Sequence, residues 1–131
     1  MIVVDTNLIV HLTITGERTP QAEQVRARDG VWAAPLLWRS EYRNVLSLYL
    51  RLGKISLETA LDLAADAEAR MEGQEYSLEA GAVLRLAAVS SCTAYDCEFV
   101  ALARQLGVKL VTTDKQVLAA FPETAVSPES F

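Results

Sequence analysis

Short β-branched runs separated by helix-length segments dominate this sequence, and that alternation constrains the fold more than any single residue. "IVV" at residues 2–4 reads as a short central strand, and "NLIVHL" opens a helix or turn directly after it. "RTPQAEQVRARDG" is a surface helix, with Pro20 in its first turn and Gly30 past its end. "VWAAP" is a second strand, stopped by Pro35. Two amphipathic helices follow: "LLWRSEYRNVLSLYLRLGK", closed by Gly53, and "SLETALDLAADAEARMEG", capped by Ser56. "SLEAGAVLRLAAVSS" is a helix weakened by Gly81, and "TAYDCEFVALARQLG" runs from Thr93 as cap to Gly107 as stop. "VKLVTTD" predicts a strand, "KQVLAAF" a short helix and "TAVSP" an edge strand. This order predicts a three-layer α/β domain around a central, mostly parallel sheet, with residues 1–131 forming one domain.

Composition narrows the function. With 51% apolar residues the chain can bury a real core, yet no apolar stretch approaches the roughly 20 residues that a membrane span needs. No basic signal-peptide head precedes the first strand, so the expectation is a cytoplasmic protein without a membrane partner. Cys92 and Cys97 match neither a redox pair nor a zinc pair in spacing and are expected to be buried free thiols. A formal net charge of −5 argues against nucleic-acid binding by bulk attraction, while leaving room for a local basic rim around an acidic, metal-filled site.

Two strands end alike. "IVVDTN" and "KLVTTDK" each run apolar and then deliver a hydroxyl residue and an aspartate at the carboxyl edge, where open α/β sheets bind ligands. Asp5 and Asp114 are therefore candidates for one site, although each alone also fits an Asx-turn or a helix cap. Glu41 shares a helix face with Asn44, Val45 and Leu48, so it sits in a stripe otherwise suited to burial and needs a partner. Arg39, Arg43 or a residue of another helix could be that partner, or the glutamate could belong to the site. Asp96 fits the first turn of a helix capped by Thr93, and it also shares a face with Phe99, Val100 and Ala103. Glu98 lies about 200° round the same helix and is expected at the rim or in solvent. Carboxylates converging in a fold of this size repel one another unless a cation sits among them. Oxygen-only ligation suits Mg²⁺ or Mn²⁺, and the single histidine, His11, reads as a surface or packing residue. Nucleophile elbows and glycine-rich phosphate loops are absent from the sequence.

The ordered set Asp5-Thr6-Asn7, Glu41, Asp96 and Thr112-x-Asp114 resembles the acidic constellation of the PIN-domain nucleases. "VVDTN" at the start, "SEYRNVL" on an early helix, "AYDCEFVALARQLG" late and "LVTTD" on the next strand follow the family's order, and the likeness is greatest to the small VapC-type toxins. The resemblance implies that Asp5, Glu41, Asp96 and Asp114 are catalytic, metal-binding acids. Thr6, Asn7 and Thr112 would orient them, and Glu98 stands outside the core set. It further implies Mg²⁺- or Mn²⁺-dependent hydrolysis of RNA, a homodimer and a cognate antitoxin protein. Arg39 and Arg43, followed by Lys115 and Arg18, are the candidate guides for the RNA strand. Trp32, Trp38 and Tyr95 offer faces on which bases could stack, with packing the preferred use.

Two other readings compete. A catalytically silent PIN-type module would bind RNA or protein without cutting. A receiver-like signalling domain would accept a phosphoryl group on a strand-end aspartate, but Asp5 lacks the second acid such a site needs and Glu41 would have no role.

Overall fold

Seven helices flank one five-stranded sheet in the computed structural model, which describes all 131 residues. The chain runs β1 (Ile2–Val4), α1 (Thr6–Thr13), α2 (Thr19–Arg28), β2 (Trp32–Pro35), α3 (Leu37–Arg51) and α4 (Leu57–Met71). It continues through β3 (Glu75–Tyr76), α5 (Ala80–Ala88), α6 (Ala94–Leu106), β4 (Leu110–Val111), α7 (Lys115–Ala120) and β5 (Ala125–Val126). The strands lie in the order β3-β2-β1-β4-β5, and every neighbouring pair is parallel. The three-layer α/β arrangement expected from the sequence is present, and the sheet is wholly parallel.

Burial explains which strands are central. All of β1 and all of β2 are buried, as continuous apolar runs covered by helices on both faces must be. Beneath them α6 contributes Cys97 and a buried run from Phe99 to Ala103, which packs against β1, β2 and β4. Trp38 and Tyr42 on α3 are buried and meet edge to face at 5.7 Å. Trp32 is also buried, so both tryptophans pack within the fold, whereas Tyr95 is exposed. Cys92 and Cys97 are free and buried, as expected. None of the helices is long and apolar enough to cross a membrane.

β3 is the one strand that the periodicity does not reveal. It has two residues, half-buried and one of them charged, and its pairing comes from the neighbours rather than from its own apolarity. The amides of Ala34 and Leu36 donate to the carbonyls of Gln74 and Tyr76, which leaves Pro35 at the position where no amide is needed. Glu75 then clamps the strand to α3: the Arg39 guanidinium donates to both of its oxygens at 2.6 and 2.8 Å, and Trp38 Nε1 adds a third bond at 2.8 Å. This fork lowers the Glu75 carboxyl below its usual range, with the Arg39 bonds the largest cause.

The strand order places the ligand edge. From β1 the chain moves outward to β2 and β3, then returns to the far side of β1 for β4 and β5. The direction of winding therefore reverses between β1 and β4, and such a switch point opens a crevice at the carboxyl ends of the strands. Packing sets the cost of disturbing this frame. Leu102→Ala, at a fully buried α6 position, is expected to lower the unfolding free energy in a urea titration by about 2–5 kcal/mol. Leu61→Ala on exposed α4 surface should stay within about 0.5 kcal/mol of the parent.

Candidate active site

Asp5 follows β1 at the switch point and serves two structures at once. Its backbone is extended and its Oδ1 accepts the Leu8 amide at 2.9 Å, the N-cap of α1. Its Oδ2 accepts the Thr112 hydroxyl at 2.6 Å and the Thr113 amide at 3.1 Å. The cap and the site are thus one and the same use of the residue. Burial raises the Asp5 carboxyl above its ordinary range, against the opposing pull of these three hydrogen bonds and of nearby His11.

Asp114 mirrors this arrangement after β4. Its Oδ1 accepts the Val117 amide at 2.9 Å and caps α7, while its own amide donates to Thr112 Oγ1 at 3.1 Å. Thr112, only 1% exposed, therefore gives its proton to Asp5 and takes one from Asp114. A single buried hydroxyl ties the two strand-end acids together.

Glu41 comes from α3 and is half-buried, with Thr6 Oγ1 donating to it at 2.7 Å. The alternative of an ion pair with Arg39 or Arg43 is not what the fold uses: Arg39 pairs with Glu75 and Glu68, and Arg43 pairs with Glu68 at 3.2 Å. Burial is the largest cause that raises the Glu41 carboxyl, the Thr6 bond opposes it, and repulsion from Asp96, Asp5 and Glu98 adds to it. Asp96 sits in the first turn of α6, where Thr93 Oγ1 accepts its amide at 3.1 Å. Glu98 is half-buried, off the cleft itself, and burial raises its carboxyl too.

The four acids Asp5, Glu41, Asp96 and Asp114 line one cleft of about 270 Å³ at the carboxyl edge of the sheet, with Thr6, Asn7 and Thr112 on its wall. As they stand, no three of the chain's His, Cys, Asp and Glu side chains are gathered tightly enough to hold an ion. Asn44, Val45, Phe99, Leu110 and Val117 complete the wall and were not among the expected site residues. For two of them the signal was spacing: Asn44 and Val45 lie three and four residues after Glu41, hence on the same helical face. Of the expected RNA guides, Arg39 and Arg43 are tied to Glu75 and Glu68, whereas Lys115 and Arg18 line a neighbouring cavity.

The raised Glu41 carboxyl has a thermodynamic sign. A carboxyl that holds its proton more tightly when folded stabilises the protein at low pH, and that stabilisation is lost as pH rises through the raised value. Glu41→Gln keeps an oxygen for the Thr6 hydroxyl and removes the charge. In EDTA its unfolding midpoint should exceed that of the parent at pH 8, and the gap should close as pH falls through the raised value, to be gone below about 4.5, the ordinary glutamate value. A constant gap across that range in thermal unfolding would contradict this account.

Comparison with known proteins agrees with this architecture. The crystal structure of PAE2754 from Pyrobaculum aerophilum superimposes with a TM-score of 0.77, covering 98% of this chain and 83% of that one at 22% identity, a level at which the likeness speaks for the fold. No curated protein matches the chain. The profile of the PIN domain family matches residues 2–124. With nearly its whole length inside that match, the chain belongs to the PIN domain family.

Proposed function

We propose that this chain is a Mg²⁺- or Mn²⁺-dependent endoribonuclease that hydrolyses RNA phosphodiester bonds. The observation that carries the reading is the convergence of Asp5, Glu41, Asp96 and Asp114 on one cleft at the switch point of a PIN fold. The donor chemistry fits a hard divalent cation, because carboxylate, hydroxyl and carboxamide oxygens are what the cleft offers. Unrelieved repulsion at Glu41 points the same way. Asp5 and Asp114 are turned towards their helix caps, so gathering an ion asks these side chains to adjust.

The residues divide the work. Asp5, Glu41, Asp96 and Asp114 hold the cation, and Thr112 and Thr6 fix the carboxylates of Asp5 and Glu41 by hydrogen bonds. When bound, a divalent cation supplies Lewis-acid polarisation of the phosphoryl group and neutralises developing charge. Asn7 and Asn44 present carboxamides to the strand being cut.

The biological setting follows the resemblance to VapC-type toxins. In this reading the chain is the toxin of a type II pair, acts in the cytoplasm as a homodimer, and is silenced by a cognate antitoxin. Exposed Leu48 and Leu52 near the end of α3, with Leu57 and Leu61 on α4, give protein partners apolar surface to cover.

Thermal unfolding in EDTA, Mg²⁺ and Mn²⁺ tests the ion. The midpoint should rise with one of the cations, by the equivalent of about 2.7 kcal/mol at a hundredfold excess over Kd, and Asp5→Asn should abolish the rise. Cleavage of single-stranded RNA should fall about a hundredfold or more in Asp96→Asn, with the folded circular dichroism spectrum retained. Metal binding without cleavage of any RNA would make the chain a silent binding module instead.

A further inference from the structure

The sequence alternates across the switch point in a way that the acidic cleft does not absorb. Thr112 and Asp114 line the cleft, while the intervening Thr113 and the following Lys115 line a second cavity of about 520 Å³ on the other side. Asp114, between them, has an extended backbone and ends the segment before α7 begins at Lys115. On α1, Asn7 and His11 are four residues apart and share one face. Asn7 lines both cavities, and His11 continues into the second.

This second cavity is the cationic counterpart of the first. Arg18 and Lys115 reach into it, and neither takes part in any of the ion pairs in the structure. That sets them apart from Arg39, Arg43 and Arg70, each of which is held by an acid. The one carboxylate on the cavity wall, Glu129, accepts a hydrogen bond from Gln21 Nε2 at 2.8 Å and is also attracted by Arg18, so the wall carries two cations against one carboxylate. Asn7, His11 and Thr113 add neutral or weakly basic donors between the two cations and the acidic cleft. In a chain of net charge −5, a cavity wall with two cations and one carboxylate, beside a cleft of four carboxylates, is a local reversal of field.

We propose that the cavity of Asn7, His11, Arg18, Thr113 and Lys115 is a phosphate-binding subsite for the RNA strand, next to the acidic cleft and joined to it at Asn7. It receives backbone phosphates of the same strand whose scissile phosphate lies among the carboxylates. The strand thereby enters the cleft in one register, with the cations at the start of α2 and of α7 and Glu41 on the wall of the cleft. The inference rests on the nuclease reading for the identity of the ligand, but its own content is phosphate contact and can be measured without turnover.

The experiment uses a fluorescein-labelled single-stranded RNA of mixed sequence and the Asp96→Asn chain in Mg²⁺, with anisotropy followed across salt concentration. Adding Arg18→Gln and Lys115→Gln together should weaken binding about tenfold or more at low salt. It should also reduce the slope of log affinity against log salt by roughly 1 to 1.5, since each single-strand phosphate contact carries about 0.7. Arg18→Lys with Lys115→Arg should keep the parental slope, and Arg85→Gln, outside both cavities, should leave it unchanged. In the otherwise unmodified enzyme the double glutamine variant should raise KM and spare kcat. An unchanged slope, or an equal loss in Arg85→Gln, overturns the subsite, as does an absence of RNA binding in the parent. Displacement of the RNA by polyglutamate as effectively as by unlabelled RNA also overturns it, in favour of an acidic protein partner. RNA held with the expected slope but left uncut in Mg²⁺ and Mn²⁺ overturns the nuclease reading and leaves the subsite standing.

Discussion

The hydrogen bond from Thr112 to Asp5 is the contact on which the rest of the site depends. It spans 2.6 Å across the seam where β1 and β4 meet, between a buried hydroxyl and a carboxylate that burial has destabilised. The same oxygen accepts the Asp114 amide, so the ends of both strands and the starts of α1 and α7 are referred to one atom. Thr6 does the same for Glu41 across the gap between α1 and α3. Asp5, Glu41 and Asp114 are thus positioned by hydroxyls and amides, with no basic side chain on the cleft wall. Hydroxyls orient a carboxylate without cancelling its charge. The folded chain therefore carries carboxylates that its own residues do not neutralise: burial raises the carboxyls of Asp5 and Glu41, and at Glu41 repulsion from Asp96, Asp5 and Glu98 adds to it.

Much of this was legible in the sequence because its signals are local. Apolar runs ending in Asp5 and Asp114 located the strand ends, and Ser56, Thr93 and Gly107 marked helix ends that the structure keeps. Asp5 and Asp114 also show why helix cap and site were not competing explanations: a carboxylate has room for about four hydrogen bonds, and capping uses one. What stayed hidden depends on contacts between distant residues. β3 pairs through Ala34 and Pro35 and is clamped by an arginine 36 residues away, so its two residues carry no periodicity to read. Arg39 looked free for RNA because nothing near it in sequence announces Glu75 and Glu68.

The arginines show how position outranks composition. Arg39 and Arg43 stand within two residues of Glu41, yet the fold spends them on acids of α4 and β3. That network has a structural product, since Arg39 holds the edge strand to α3 and makes the Glu41 helix a fixed wall of the cleft. Arg18, which precedes α2, and Lys115, which opens α7, are far apart in sequence and line one cavity in the fold. An acidic chain can thereby present a basic surface beside an acidic cleft without any basic segment in its sequence.

The alternation of Thr112, Thr113, Asp114 and Lys115 between two cavities ties chemical identity to parity. A substitution there alters one side of the wall and leaves the other intact. Loss or gain of a single codon in that stretch would do something different in kind, shifting which of the residues before α7 face each cavity. Among descendants of this chain, length in the turn between β4 and α7 should therefore be held more strictly than residue type, while the loop between α4 and β3 is free of that constraint on parity.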